Sequence, residues 1–197
     1  MAVSLGRIIG SEKGQSLIEL TMIAPLMICL VYGAVEVGSV ISTYLTLTHT
    51  TREGANLVAR GTPVDLLGPD NDALDTIITA AAPTLSATNQ TQWRIIYSRV
   101  VRDPAVPCLA EPCKYMVDTK PGGQIIRGSL NKQSKLGPPN GSQISQSVLP
   151  GIQNVKDGQV FHVFEAFYNY APNIITYIGK TINTDFYDRT IFTNISG

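Results

Sequence analysis

From Leu17 to Val35 the chain runs for 19 positions with a single charge, Glu19, and shows no polar face between Met22 and Val35. A helix of that length rises about 28 Å, close to the roughly 30 Å hydrocarbon core of a bilayer. The pattern predicts a membrane-spanning helix over about 17–36. A cleaved secretory signal would have an apolar core of about 7–15 residues followed by a small-residue cleavage site. Here the apolar run instead passes without a break into a second helical pattern.

Past Gly38, the residues Val40, Tyr44, Leu47, Thr51, Ala55 and Val58 recur at helical spacing, while Ser42, Thr43, Thr46, His49, Thr50, Arg52, Glu53 and Asn56 fill the other faces. This is an amphipathic continuation of the same helix, over about 37–60. Its β-branched threonines lower intrinsic helix propensity, so packing against a following domain has to supply the rest. Gly61, Thr62 and Pro63 give the stop. One helix over 15–60 would be roughly 70 Å long.

Five residues of this helix stand out. Glu19 places a carboxylate at membrane depth, where it is costly and needs either a partner or a short reach to the cytoplasmic interface. Pro25 removes one backbone donor and is expected to kink or open the helix near Thr21 to Ala24. Gly33 and Gly38 leave shallow surface for a neighbouring helix. Glu36 falls at the outer edge of the run, where solvation is expected.

Residues 1–14 form a short leader carrying Arg7 and Lys13, which orients the leader to the cytoplasm and everything after the span away from it. Residues 62–197 are enough for one small domain. Within it, 62–72 reads as a turn-rich link. Ala73 to Ala82 reads as a short helix stopped by Pro83.

Gln92 to Val101 reads as a strand, with Trp93, Ile95 and Tyr97 on one side and Arg94, Ile96 and Ser98 on the other. Val160 to Tyr170 is a strongly β-branched and aromatic strand. Shorter candidates are Lys114 to Asp118, Ile174 to Ile178 and Thr190 to Ile195. The fold class expected is α+β: a long helix followed by a small antiparallel sheet packed on the helix's amphipathic half. Residues 120–159, rich in Gly, Pro, Ser, Gln and Asn, read as a flexible excursion with room for a helix near Ser142 to Leu149.

Charged residues are 15% of the chain and cancel to a net charge of zero, so no nucleic-acid partner is expected. Cys108 and Cys113 flank a Pro-rich segment. In an extracytoplasmic, oxidising compartment they are expected to form a disulfide, since their spacing suits neither zinc nor a redox motif. Cys29 lies in the span as a small apolar residue. His49 and His162 are the only histidines, and no nucleophile motif, metal-ligand spacing or phosphate loop accompanies them. A protein with no enzymatic activity and no cofactor is expected.

Gly14-Gln15-Ser16-Leu17-Ile18-Glu19-Leu20 resembles the cleavage and assembly motif of type IV pilin-like precursors. The continuation through Pro25, Glu36-Val37-Gly38, Tyr44 and Arg52-Glu53-Gly54-Ala55 is similar to the TadE-like family, pseudopilins of the tight-adherence (Flp-type) pilus and secretion apparatus. The resemblance covers about the first third of the chain. It implies a type IV pilin-like fold, cutting by a membrane-embedded prepilin peptidase between Gly14 and Gln15, and an assembly role for Glu19, the fifth residue of the cut chain. It also implies single-pass insertion in a bacterial inner membrane with the head outside the cytoplasm, and partnership with lipid, other pilins and pseudopilins, and the assembly platform. Incorporation into the pilus itself is left open. The alternative from the residues alone is a permanently anchored binding or adhesion module.

Overall fold

The computed structural model describes residues 12–60, 73–85, 89–103, 114–144, 148–149, 160–172 and 184–194. A 48-residue helix, α1 (Glu12–Ala59), is followed by α2 (Ala73–Leu85) and five strands: β1 (Trp93–Arg102), β2 (Tyr115–Val117), β3 (Gln124–Arg127), β4 (Val160–Tyr170) and β5 (Thr184–Asn194). The architecture is the expected α+β one, a long N-terminal helix joined to a small antiparallel sheet.

The helix does not break at Pro25. The proline leaves the Thr21 carbonyl without its i+4 donor, and the neighbouring Thr21 hydroxyl donates to the Leu17 carbonyl at 2.7 Å. Its later threonines do the same: Thr43 donates to the Ser39 carbonyl at 2.9 Å and Thr50 to that of Thr46 at 2.7 Å. With their hydroxyls satisfied inside the helix, Thr43 and Thr50 are buried against the head. α2 runs past Pro83, which sits in its last turn rather than ending it. The carbonyl left without a donor is that of exposed Thr79, within reach of water.

The sheet order is β2-β1-β4-β5, all antiparallel, with β3 beside β2 along the same edge of β1. The two short strands are separated by a loop whose ends are pinned by Arg99. Its N–H donates to the Gly123 carbonyl at 2.7 Å and its carbonyl accepts from the Asp118 N–H at 2.8 Å. A Cβ at Gly123 would stand 1.8 Å from the Asp118 carbonyl oxygen, so only glycine closes this loop. β4 and β5 pair over their full 11 residues, from Val160↔Asn194 to Tyr170↔Thr184.

Strand alternation divides the core in two. Trp93, Ile95 and Tyr97 of β1 and Phe164, Ala166, Tyr168 and Tyr170 of β4 pack with Leu47, Ala55 and Val58 of α1 and Ile77 and Ala81 of α2. On the other face Val100, Val117, Phe161 and Val163 pack with Leu136 and Leu149. Of residues 120–159, expected as a flexible excursion, the described part contributes a strand, β3, and two buried leucines, Leu136 and Leu149. The expected helix near Ser142 does not form over 142–144. There Gln143 bridges Met116, and the Ile144 N–H donates to the Tyr115 carbonyl at 2.7 Å.

The buried Glu165 carboxylate fastens this layer. It accepts from the Ser134 hydroxyl, from the Lys135 N–H at 3.0 Å and from the Tyr187 hydroxyl at 3.0 Å. Lys135 Nζ lies 3.4 Å from the centroid of the Tyr187 ring. Leader residues 1–11, the 62–72 link, the Cys108–Cys113 pairing and the Ile174 to Ile178 strand fall outside the described residues.

Candidate functional site

α1 changes surroundings along its length. From Leu17 to Val35 the large apolar side chains stand exposed on every side, Met22 at 77%. From Thr43 to Val58 one face is buried by the head, Leu47 to 1%. This is the one helix among the described residues that is long and apolar enough to cross a membrane. Gly14 and Gln15 lie in its opening turns, and Glu19 is exposed on its surface. Among the described residues none pairs with the Glu19 carboxylate.

The head first grips the helix at Glu36. The Tyr170 hydroxyl, at the end of β4, donates to Glu36 Oε1 at 2.8 Å. Burial, reinforced by this hydrogen bond to a carboxylate, pushes the Tyr170 hydroxyl up to about 12. Glu36, expected to be solvated, is instead half-buried and tied to the sheet. Nearby, the Phe186 ring meets Tyr44 edge-on at 6.1 Å and Tyr170 at 6.0 Å.

The grip continues about four turns along the helix. Thr51 Oγ1 donates to the Asp188 carboxylate and accepts from the Thr190 hydroxyl at 3.1 Å, so the central polar residue of the helix face is matched by two polar residues of β5. Gly54 then brings the helix backbone against β4: a Cβ there would lie 2.8 Å from Cδ1 of Phe164 and 3.1 Å from Cδ1 of Ile77. The amphipathic pattern marks this face but not its partners. A glycine set among Thr51, Ala55 and Val58 was the available signal for a close crossing.

On the same face of the sheet as this seam, Tyr97 Oη and His162 Nδ1 are 2.7 Å apart with their rings stacked. Burial, and then the Arg99 guanidinium, holds the His162 imidazole below its usual value. Arg99 is itself ion-paired with Asp118. Among the described residues no three His, Cys, Asp or Glu gather to hold a metal.

Residues 14–56 match the family model described as TadE-like protein. The match starts at Gly14 and ends at Asn56, so it takes in the exposed apolar half of α1, Glu36 and Gly54. No curated protein and no solved structure matches the chain.

Proposed function

We propose that this chain is a TadE-like minor pseudopilin, a non-enzymatic subunit that acts in the assembly, initiation or regulation of a tight-adherence (Flp-type) pilus or a related secretion apparatus. It is made as a single-pass precursor of a bacterial inner membrane, with its head on the extracytoplasmic side. Prepilin peptidase cuts it after Gly14. The observation that carries the reading is an apolar half-helix exposed on all sides that coincides with the TadE-like match.

Glu19 supplies the assembly chemistry. Cutting after Gly14 creates a positively charged α-amine on Gln15, in an environment where an unpaired charge is costly. The Glu19 carboxylate of a neighbouring subunit neutralises it, and the pairing sets the register between helices. Related pilins and pseudopilins, the assembly platform and membrane lipid are the partners.

Glu19→Gln removes the charge and keeps the shape. The expected result is normal membrane insertion with loss of assembly or of subunit association, read by fractionation and co-purification with the pilus components. Normal assembly by this variant would overturn the role of Glu19.

A further inference from the structure

The apolar surface of α1 does not end where the head begins. On the side of the helix away from the head, Val37, Ile41 and Leu45 follow one another at i, i+4 and i+8, and they remain 58%, 52% and 51% exposed. The head covers the opposite side through Thr43, Leu47, Thr50 and Gly54. Tyr44, 46% exposed, borders the free stripe beside Phe186.

Charge and hydrogen bonding on this free side match an apolar surrounding. Between Glu19 and Arg52 the only formally charged residue is Glu36, and its carboxylate is turned to the head by Tyr170. Two hydroxyls near the stripe are satisfied within the helix: Thr46 donates to the Ser42 carbonyl at 3.0 Å and Thr48 to that of Tyr44 at 3.1 Å. Such hydroxyls need no water, the condition for backbone-bonded polar groups at membrane depth. One turn beyond Thr48 the exposed Arg52 closes the stripe with a cation.

Length identifies the surrounding. From Leu17 to Leu45 a helix rises about 42 Å, more than the roughly 30 Å hydrocarbon core but equal to the roughly 40–45 Å of core plus headgroup layers. We propose that the free side of α1 from Val37 to Thr48 is a lipid-contacting surface, lying in the interfacial layer of the outer leaflet while the head is carried on the other side of the helix. Tyr44 takes the position that interfacial tyrosines favour, and Arg52 reaches the lipid phosphates. The inference rests on the reading that Leu17 to Val35 spans the membrane.

The test places the full chain in phosphatidylcholine vesicles whose acyl chains carry bromine near the headgroup, and introduces a single tryptophan at each of four positions. Native Trp93 is buried in the head core and gives a constant background. Met22→Trp reports the span, Ile41→Trp and Leu45→Trp the stripe, and Asn56→Trp the water-exposed helix beyond it. The expected result is blue-shifted, bromine-quenched emission from Ile41→Trp and Leu45→Trp, approaching that of Met22→Trp, and unquenched emission from Asn56→Trp. Leu45→Trp emission equal to that of Asn56→Trp, with Met22→Trp quenched, overturns the proposal and leaves the anchor intact. Blue-shifted but unquenched Leu45→Trp emission also overturns it, in favour of a protein partner on the stripe. An unquenched Met22→Trp removes the membrane anchor and the proposal together.

Discussion

Tyr170 donates a 2.8 Å hydrogen bond to Glu36, joining the last residue of β4 to the position on α1 where the apolar run stops. This contact fixes how far the head sits from the exposed half-helix. Tyr170→Phe keeps the ring against Phe186 and removes only the hydroxyl. It is expected to cost about 1–2 kcal/mol, with Glu36→Gln costing less because an acceptor remains. Denaturation of the full chain in detergent, followed by circular dichroism, checks both.

Gly54 and Phe164 make a second junction, at which the helix backbone touches an aromatic ring. Gly54→Ala is favoured by helix propensity, yet overpacking is expected to win and destabilise the protein by about 1–3 kcal/mol. Phe164→Leu in the same chain should recover part of that loss, although Phe164→Leu alone is destabilising. Strict additivity of the two changes in denaturation midpoints would contradict the contact.

His162 gives the head an acid-side pH dependence. Its imidazole is held below the usual 6.5 by burial and by Arg99, so the unfolded chain binds the proton more readily than the folded one. The stability from keeping His162 neutral is fully present above 6.5 and is lost as pH falls below it toward the depressed folded value. His162→Gln is expected to flatten the fall in urea midpoint between neutral pH and about pH 5. An unchanged slope would show that His162 is not the titrating group.

Glu165→Ala is expected to release the segment around Ser134 and Lys135 from the sheet. The change strands the Ser134 and Tyr187 hydroxyls and the Lys135 N–H. A loss of about 1–3 kcal/mol follows from part-buried donors left without their acceptor. Limited proteolysis should cut within 120–149 in the variant well before it does so in the parent chain.

The elements with a strong period were legible from the residues. α1 could be read from its apolar run and its 3.6-residue pattern. β1 and β4 could be read from β-branched and aromatic alternation, and β4 occupies Val160–Tyr170 as expected. β3 was hidden because Gln124–Arg127 is four residues long and sits among glycines and prolines, and its pairing with β1 is a long-range choice that no local pattern encodes. β5 begins earlier than the expected Thr190 because Asp185, Asp188 and Arg189 break the apolar signal. All three charges are partnered in the fold: Asp185 pairs with Lys132 and accepts from Asn169, Asp188 meets Thr51, and Arg189 donates to the Val148 carbonyl. Glu36 misled for a similar reason. A lone acid at the end of an apolar run looks solvated until a distant tyrosine is brought to it.

Cutting after Gly14 is read directly from the N-terminal sequence and intact mass of the membrane protein, from hosts with and without prepilin peptidase. The expected chain starts at Gln15 when the peptidase is present and at Met1 when it is absent. A Met1 start in both hosts would contradict that cut and make the chain a permanent single-span anchor for its head.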